Sequence, residues 1–348
     1  VVRYTIITFL HNLKKIYNQM KKRILFILFL IANIFVYGQN NDENYYDNGQ
    51  IRTQGHYNSE NKRIGEWKWF HENGQISTIG QYENDEQTGE WKSYFSNGQI
   101  SETTNWKKGQ RDGKFQNYYS SGSLYRIGMY LDGNETDEWK EYYENGTLLK
   151  LSNYKNGKEI GEWQKYYENG QLQFIGKYKN QNLSGEWKWF YESGQLDRIG
   201  KFEDGQKVGE WTDYYENGQI ASTEIYNFGK RIGEEKRFNV DGKLWITGKY
   251  DENGKQSGEW KWFHNNGNIK TIGNYVDGKS TGEWAGYHEN GKLAKIGKYD
   301  INGKRTGEWK TYHDNGKLES IGNSKNGEQT GEWKYYDANG KLSNTEHY

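Results

Sequence analysis

A pattern of 24 residues recurs along residues 41–348, and nothing else in the chain constrains the fold as strongly. Its marker is the glycine of an Asn-Gly-like pair. That glycine falls at Gly49, Gly74, Gly98, Gly122, Gly146, Gly170, Gly194, Gly218, Gly242, Gly267, Gly291, Gly316 and Gly340, with 25 residues in three intervals. The consensus reads G-E-W-K-x-Y-Y-E-N-G-Q-L-x-x-I-G-x-Y-x-x-G-x-x-x. Asn-Gly between alternating segments predicts a two-residue type I′ hairpin turn, with positive φ at both central residues. A second turn follows in each copy, as at Asp204-Gly205 and Asp277-Gly278. Each repeat is therefore expected to be two short antiparallel strands. The fold class is all-β: an elongated, twisted, single-layer antiparallel meander of about thirteen hairpins, roughly 120 Å long at ~4.8 Å per strand.

Register follows from the turn. With Asn73-Gly74 as the loop, Glu72 should oppose Gln75, His71 Ile76, Lys68 Ile79, Trp67 Gly80, and Glu66 Gln81. Side chains alternate faces. Trp67, Trp69, His71, Ile76 and Tyr82 then share a face with Gly80, while Glu66, Lys68, Phe70 and Ile79 share the other. The same rule sets Glu186 opposite Lys201, an opposite-charge pair.

The Trp–Gly pairing is the expected source of cohesion, because an aromatic ring can cover a bare strand glycine. The tryptophan recurs at Trp67, Trp91, Trp139, Trp163, Trp187, Trp211, Trp260, Trp284, Trp309 and Trp333. The strand glycine recurs at Gly80, Gly128, Gly176, Gly200, Gly248, Gly273, Gly297 and Gly322. Each ring is expected to lie over the glycine of its own hairpin. The pattern lapses at Phe115 and Glu235, where the tryptophan is lost, and at Thr104, Ser152 and Glu224, where the glycine is lost. Those copies are expected to be weaker or bent.

Composition bears on whether such a chain folds. Leu, Ile, Val and Phe supply 61 of 348 residues, a share usual for disorder, but aromatics are 17% and formal net charge is zero. A core of rings reconciles these values. The absence of Pro suits continuous strands, and the absence of Cys excludes disulfides and thiol chemistry.

Three segments are expected. The stretch beginning at Met20 has a basic start (Lys21, Lys22, Arg23), a 14-residue apolar run from Ile24 to Tyr37, and small residues near Gly38. That is the layout of a signal peptide over 20–38, and its run is short for a membrane span of roughly 20 residues. Residues 1–19 then read as an upstream extension from a mis-called start, and 39–348 as one repeat array. Removing 1–38 leaves 41 basic and 47 acidic residues, a charge of −6. An exported, mildly acidic chain does not suit nucleic acid, and no stable membrane span is expected in the mature chain. Its expected location is the periplasm, the cell surface or the medium.

The G-x-W-x-x-Y-Y-x-N-G-x-L run, with its downstream Gly and Y-x-x-G turn, resembles MORN repeats in their bacterial variant form. The "YYENG" cores at Tyr142–Gly146, Tyr166–Gly170 and Tyr214–Gly218 carry that resemblance. It implies a hairpin array that binds other molecules without catalysis. In some bacterial members it implies an antitoxin component, a cytoplasmic role at odds with export. Choline- or glucan-binding wall repeats are similar in their Trp, Tyr and Gly content, but the Asn-Gly turn and Glu-Trp-Lys triplet favour the MORN variant.

The residues themselves argue against an enzyme. His71, His264, His288 and His313 share the second-Tyr slot. Equivalent residues two strands apart are roughly 9.6 Å from each other, too far for one zinc at ~2.0–2.1 Å from each ligand, so the histidines read as substitutes for Tyr. The repeated glutamates (Glu66, Glu90 and their equivalents) form a ladder without the asymmetry that acid–base catalysis needs. No catalytic, metal or cofactor residue is expected. The rings that the repeat does not require are the candidate binding surface. These are Trp69, Trp189 and Trp262, in a slot that elsewhere holds Ser93, Thr212 or Ala285, and Trp245 on the opposite face. The expected function is a protein-binding scaffold, with surface glycan as the alternative ligand.

Overall fold

The computed structural model describes residues 20–21 and 40–348. The proposed signal peptide falls largely, and the upstream extension wholly, outside the described residues. The chain forms two compact units. One holds the described residues up to Asp137 with Glu144–Gly146, and the other holds Glu138–Tyr143 and Thr147–Tyr348.

Both units are antiparallel meanders. In the first, β1 (Asn40–Tyr45), β2 (Ile51–Tyr57), β3 (Arg63–Phe70), β4 (Ile76–Glu83) and β5 (Glu86–Tyr94) each pair with their neighbours in sequence. The second continues the same plan to its last strand, Leu342–His347, which pairs with Glu328–Tyr336. The all-β hairpin expectation holds throughout.

The turns differ from expectation. At the first turn of each repeat, as at Asn73-Gly74, the loop has three residues: His71 N donates to Gln75 O at 2.7 Å, and Gly74 N to His71 O at 2.9 Å. Gly74 has φ +81, whereas Asn73 is not among the positive-φ residues. This is a type I turn closed by a left-handed glycine. His71 therefore faces Gln75, not Ile76, and Glu72 lies in the loop. The type I′ turns lie instead at the second site, where Asp204 (φ +45) and Gly205 (φ +78) are both left-handed. Asn-Gly supports either geometry, and the dipeptide alone does not choose.

The inner register is nevertheless as expected, because two offsets cancel. Phe70 pairs with Ile76, then Ser77 is skipped, and Trp69 pairs with Thr78. This bulge restores Lys68 to Ile79, Trp67 to Gly80 and Glu66 to Gln81, and Glu186 likewise faces Lys201. A second irregularity falls between β4 and β5, where Gly80 faces the stretch between Thr88 and Lys92. Gly89 in that stretch has φ +66, which explains the glycine ahead of each Glu-Trp. Asp137 replaces that glycine in one copy and takes φ +59. The 25-residue intervals also have a cause. There the second turn is a three-residue loop, as at Asp251–Lys255 and Asp300–Lys304.

The core is the tryptophan column. Trp67, Trp91, Trp187, Trp211 and Trp260 are each 6% exposed or less. Each ring lies on a strand glycine, but not on the glycine of its own hairpin. A Cβ at Gly80 would sit 2.0 Å from Cδ2 of Trp91, and one at Gly55 would sit 2.2 Å from Cδ2 of Trp67. The ring thus covers the glycine of the preceding repeat and staples consecutive copies together. The expectation that Trp67 covers Gly80 fails because the second bulge brings the following strand's ring onto it. The indole N–H confirms the direction, since Trp67 Nε1 donates to His56 O at 3.2 Å and Trp260 Nε1 to Lys249 O at 3.2 Å. On the opposite face the glutamates do pair with lysines, but along the strand rather than across it. Glu66–Lys68, Glu186–Lys188 and Glu259–Lys261 close at 2.6–2.8 Å.

Two further columns join the repeats at their hairpin ends. The turn asparagine accepts the N–H two residues on and donates into the next repeat. Asn73 Nδ2 reaches Ser96 O at 2.9 Å, and Asn217 Nδ2 reaches Val240 O at 2.8 Å. The second-aromatic slot does the same with its polar tip. Tyr167 donates to Phe190 O at 2.9 Å and Tyr215 to Phe238 O at 2.8 Å.

Candidate functional site

The Trp slot and its flanks define one face. Trp69 stands between Trp67 and Trp91, with ring centroids 5.9 and 5.6 Å away. Trp189 bridges Trp187 and Trp211 at 5.8 and 5.7 Å, and Trp262 bridges Trp260 and Trp284 at 6.0 and 5.8 Å. These three rings are half-buried extensions of the aromatic layer rather than isolated platforms. Trp245 lies apart from them, at a bulge position, and is 49% exposed.

Cross-strand pairing places the slot of Trp69 in a row that crosses consecutive strands within each unit. In the first unit this row runs Thr53, Trp69, Thr78, Ser93, Glu102, Asn117 and Arg126. In the second, one stretch of it runs Lys165, Phe174, Trp189, Arg198, Asp213, Ser222, Arg237, Ile246 and Trp262. Register puts Asp213 and Gly286 in the slot, not Thr212 and Ala285. The Trp column beside this row is nearly uniform, whereas the row changes between most copies; Trp69 with Thr78 and Trp262 with Thr271 are the one pair that repeats among the described residues. The row is the part of the aromatic face on which one repeat can be told from another.

The row is polar and partly self-paired. Arg111 pairs with Glu102 at 3.1 Å, Lys150 with Glu141 at 3.3 Å, and Arg198 with Asp213, which also accepts from Ser222 Oγ at 3.0 Å. Cations also cap the rings. Lys207 Nζ is 4.0 Å from the Trp211 ring centroid, and Arg63 lies 4.0 Å from that of Tyr82. Burial, helped by Arg198, holds Lys207 below the usual lysine range. Lys165 and Lys295 carry no ion pair among the described residues.

One copy breaks the aromatic layer. Glu224 occupies the strand-glycine position and Glu235 the position of the tryptophan that would cover it. They are 8% and 1% exposed. Glu235 accepts from Arg237 Nη2 at 2.6 Å and from Tyr250 OH at 3.0 Å, while Glu224 accepts from Arg231 Nη2 at 2.8 Å and from Tyr226 OH at 2.6 Å. Burial pushes the Tyr226 and Tyr250 hydroxyls above their ordinary range. The two carboxylates and two guanidiniums balance in charge, so the ring stack is replaced by a paired ionic cluster. Both glutamates stand out in the sequence as lapses of the repeat, but their meeting is visible only in the fold. The sequence holds a signal in the spacing: Thr104 and Phe115, the other joint lapse, are as far apart in the chain as Glu224 and Glu235, and the structure makes them direct cross-strand partners.

The histidines act as tyrosines. His71, His264, His288 and His313 place Nε2 2.8–2.9 Å from the carbonyls of Tyr94, Tyr287, Tyr312 and Tyr336, the bonds that Tyr hydroxyls make elsewhere. Among the described residues no group of three or more His, Asp or Glu side chains is placed to hold a metal ion, and no helix is long and apolar enough to cross a membrane.

Comparison with known proteins agrees with the repeat geometry. The MORN repeat variant matches residues 43–59, 63–84, 87–108, 111–132, 138–156, 159–180, 183–204, 207–227, 256–277, 280–300, 305–326 and 329–348. The unmatched stretch between 227 and 256 is the copy that carries Glu235. None of the curated proteins matches the chain. Among solved structures, TcdB2-TccC3 without its hypervariable C-terminal region is 11% identical, covering 87% of this chain and 22% of its own, with a TM-score of 0.17. The Photorhabdus luminescens Tc holotoxin pore is also 11% identical, covering 85% of this chain and 18% of its own, with a TM-score of 0.17. This chain thus spans under a quarter of either, and at such TM-scores the likeness carries no weight. Twelve matched segments, each falling on a two-strand hairpin of the array, show that the chain belongs to the MORN repeat variant family.

Proposed function

We propose that this chain is an exported, non-enzymatic scaffold that binds a protein partner through the variable row of its aromatic face. The observation that carries this reading is the contrast between a near-uniform Trp column and a row beside it whose residues range over Trp, Phe, Ser, Asn, Glu, Asp, Lys and Arg. A repeat needs its column to fold, but not a distinct row. The row offers half-exposed rings for contact area and unpaired cations at Lys165 and Lys295, which suit carboxylates on the partner. Export rests on the basic, then apolar, segment from Met20 to Gly38, with a mature N-terminus at Gln39 as its test. An immunity-type role is a narrower form of the same reading and predicts a neighbouring gene for a toxin.

The test is a matched pair of charge reversals. Proteins retained by the immobilised mature chain should be lost on Lys165→Glu with Lys295→Glu, and kept on Lys177→Glu with Lys298→Glu on the opposite face. Loss with the second pair and retention with the first sinks the proposal. A surface glycan is favoured by one observation only, the exposed Trp245 ring. A glycan panel that quenches Trp fluorescence in the parent but not in Trp245→Ala would support it.

A further inference from the structure

Asn-Gly occurs fourteen times in the chain, and the structure sorts these pairs by what holds the amide. We infer that Asn156, Asn253, Asn302, Asn326 and Asn339 are sites of spontaneous deamidation in the folded protein, while the asparagines bridging one repeat to the next are protected.

The reaction needs only the chain and water. The backbone nitrogen of the following glycine attacks Cγ of the asparagine. A Cγ–N bond forms and closes a five-membered succinimide. The Cγ–Nδ2 bond breaks, and the amide nitrogen leaves as ammonia, taking up the proton from the glycine N–H. Water then adds to either ring carbonyl, giving aspartate or isoaspartate. Glycine has no side chain to hinder the attack, and its N–H is held to a backbone carbonyl in both classes, as in Gly74 to His71 O and Gly254 to Asp251 O, so the difference between the classes lies in the freedom of the asparagine amide to turn toward that nitrogen.

In the bridging class that freedom is gone. Asn73 accepts Gln75 N–H on Oδ1 at 3.1 Å and donates from Nδ2 to Ser96 O at 2.9 Å. Asn97, Asn169, Asn217, Asn266 and Asn290 are held on both amide atoms in the same way. Attack there requires both bonds to open, one of them a link to the next repeat. In the other class a neighbour has taken over the turn. Asp251 Oδ1 accepts the N–H groups of Asn253 and Lys255, each at 2.9 Å, which leaves the Asn253 amide without a hydrogen bond. Asp300 and Asp337 do the same above Asn302 and Asn339. Asn156 and Asn326 stand first in type I′ turns, at φ +52 and +55. All five are exposed and none makes a side-chain hydrogen bond. Each conversion adds a negative charge at a loop tip and leaves the Asn bridges between repeats intact.

The experiment is peptide mapping by mass spectrometry of the folded chain held at mildly alkaline pH, beside a sample in concentrated urea. The five free sites should deamidate faster than Asn73, Asn97, Asn169, Asn217, Asn266 and Asn290 by at least about tenfold, the factor carried by one to two net hydrogen bonds. In urea the two classes should converge. Equal rates in the folded chain, faster loss at the bridging class, or no reaction at the five free sites while urea permits it would each overturn the inference.

Discussion

Glu224 and Glu235 fill the two halves of one staple: the first stands where a strand glycine belongs, and the second where the next repeat's tryptophan would lie on it. Both are buried, and Arg231 reaches both, at 2.8 Å and 3.5 Å. The exchange works because the two positions changed together. A ring at 235 would strike a side chain at 224, and a glycine at 224 would leave part of Arg231 without its partner.

The pair should therefore behave non-additively. Glu235→Trp alone should destabilise by roughly 1–3 kcal/mol through overpacking against Glu224. Combined with Glu224→Gly, the same change should cost less than the two single changes summed, since the ring regains its glycine, while Arg231 and Arg237 lose their carboxylate partners. Urea unfolding of the two single variants and the double variant measures the coupling. Additive effects would show that the residues do not share a site.

Gly80→Ala is expected to destabilise by about 1–3 kcal/mol, since its methyl would sit 2.0 Å from the Trp91 ring. Gly65→Ala meets no atom within 4 Å and carries only the cost of a left-handed backbone, about 1–2 kcal/mol. A second change at Trp91, to Phe, should recover part of the Gly80→Ala loss and none of the Gly65→Ala loss. Thermal denaturation of these variants decides between packing and backbone as the cause.

His264 donates to Tyr287 O at 2.8 Å when Nε2 carries the proton. His264→Phe should cost about 1 kcal/mol by leaving that carbonyl unpaired, and His264→Tyr should restore stability by supplying a hydroxyl. A metal role for the histidine column would instead make both variants equally defective and chelator treatment harmful.

Stability should fall in alkali. Burial, as the largest cause, raises Tyr82, Tyr178, Tyr226 and Tyr250 above the ordinary 10.0. The folded state then holds these protons more tightly than the unfolded chain does. Their contribution is complete below pH 10 and is lost as pH rises from there through the folded values. Urea midpoints across that range, with tyrosinate absorbance lagging in the folded chain, measure the effect.

Much of this fold is legible in the sequence, and its gaps have physical causes. The 24-residue period and the alternation around Trp67 determine hairpins, faces and the inner register, including Trp67 opposite Gly80 and Glu186 opposite Lys201. The turn types are not legible, because Asn73-Gly74 can form either geometry, and the choice depends on the φ of Asn73. The three-residue loop leaves the register intact only because Ser77 bulges out and cancels its offset. The identity of the glycine under each ring was hidden for the same reason: it depends on the bulge around Gly89, which no pairwise pattern displays. Trp69, Trp189 and Trp262 do sit on one face, but as wedges in the ring stack. The Glu224–Glu235 cluster needed the correct glycine assignment before its two lapses could be seen as one.

If the variable row, and not the Glu–Lys face, meets the partner, its lysines are covered in the complex. Lysine acetylation of the mature chain, alone and in its native complex, tests it directly. Lys165 and Lys295 should lose reactivity in the complex while Lys177 and Lys298 keep it. Protection of Lys177 and Lys298, with Lys165 and Lys295 reacting as in the free chain, would contradict it.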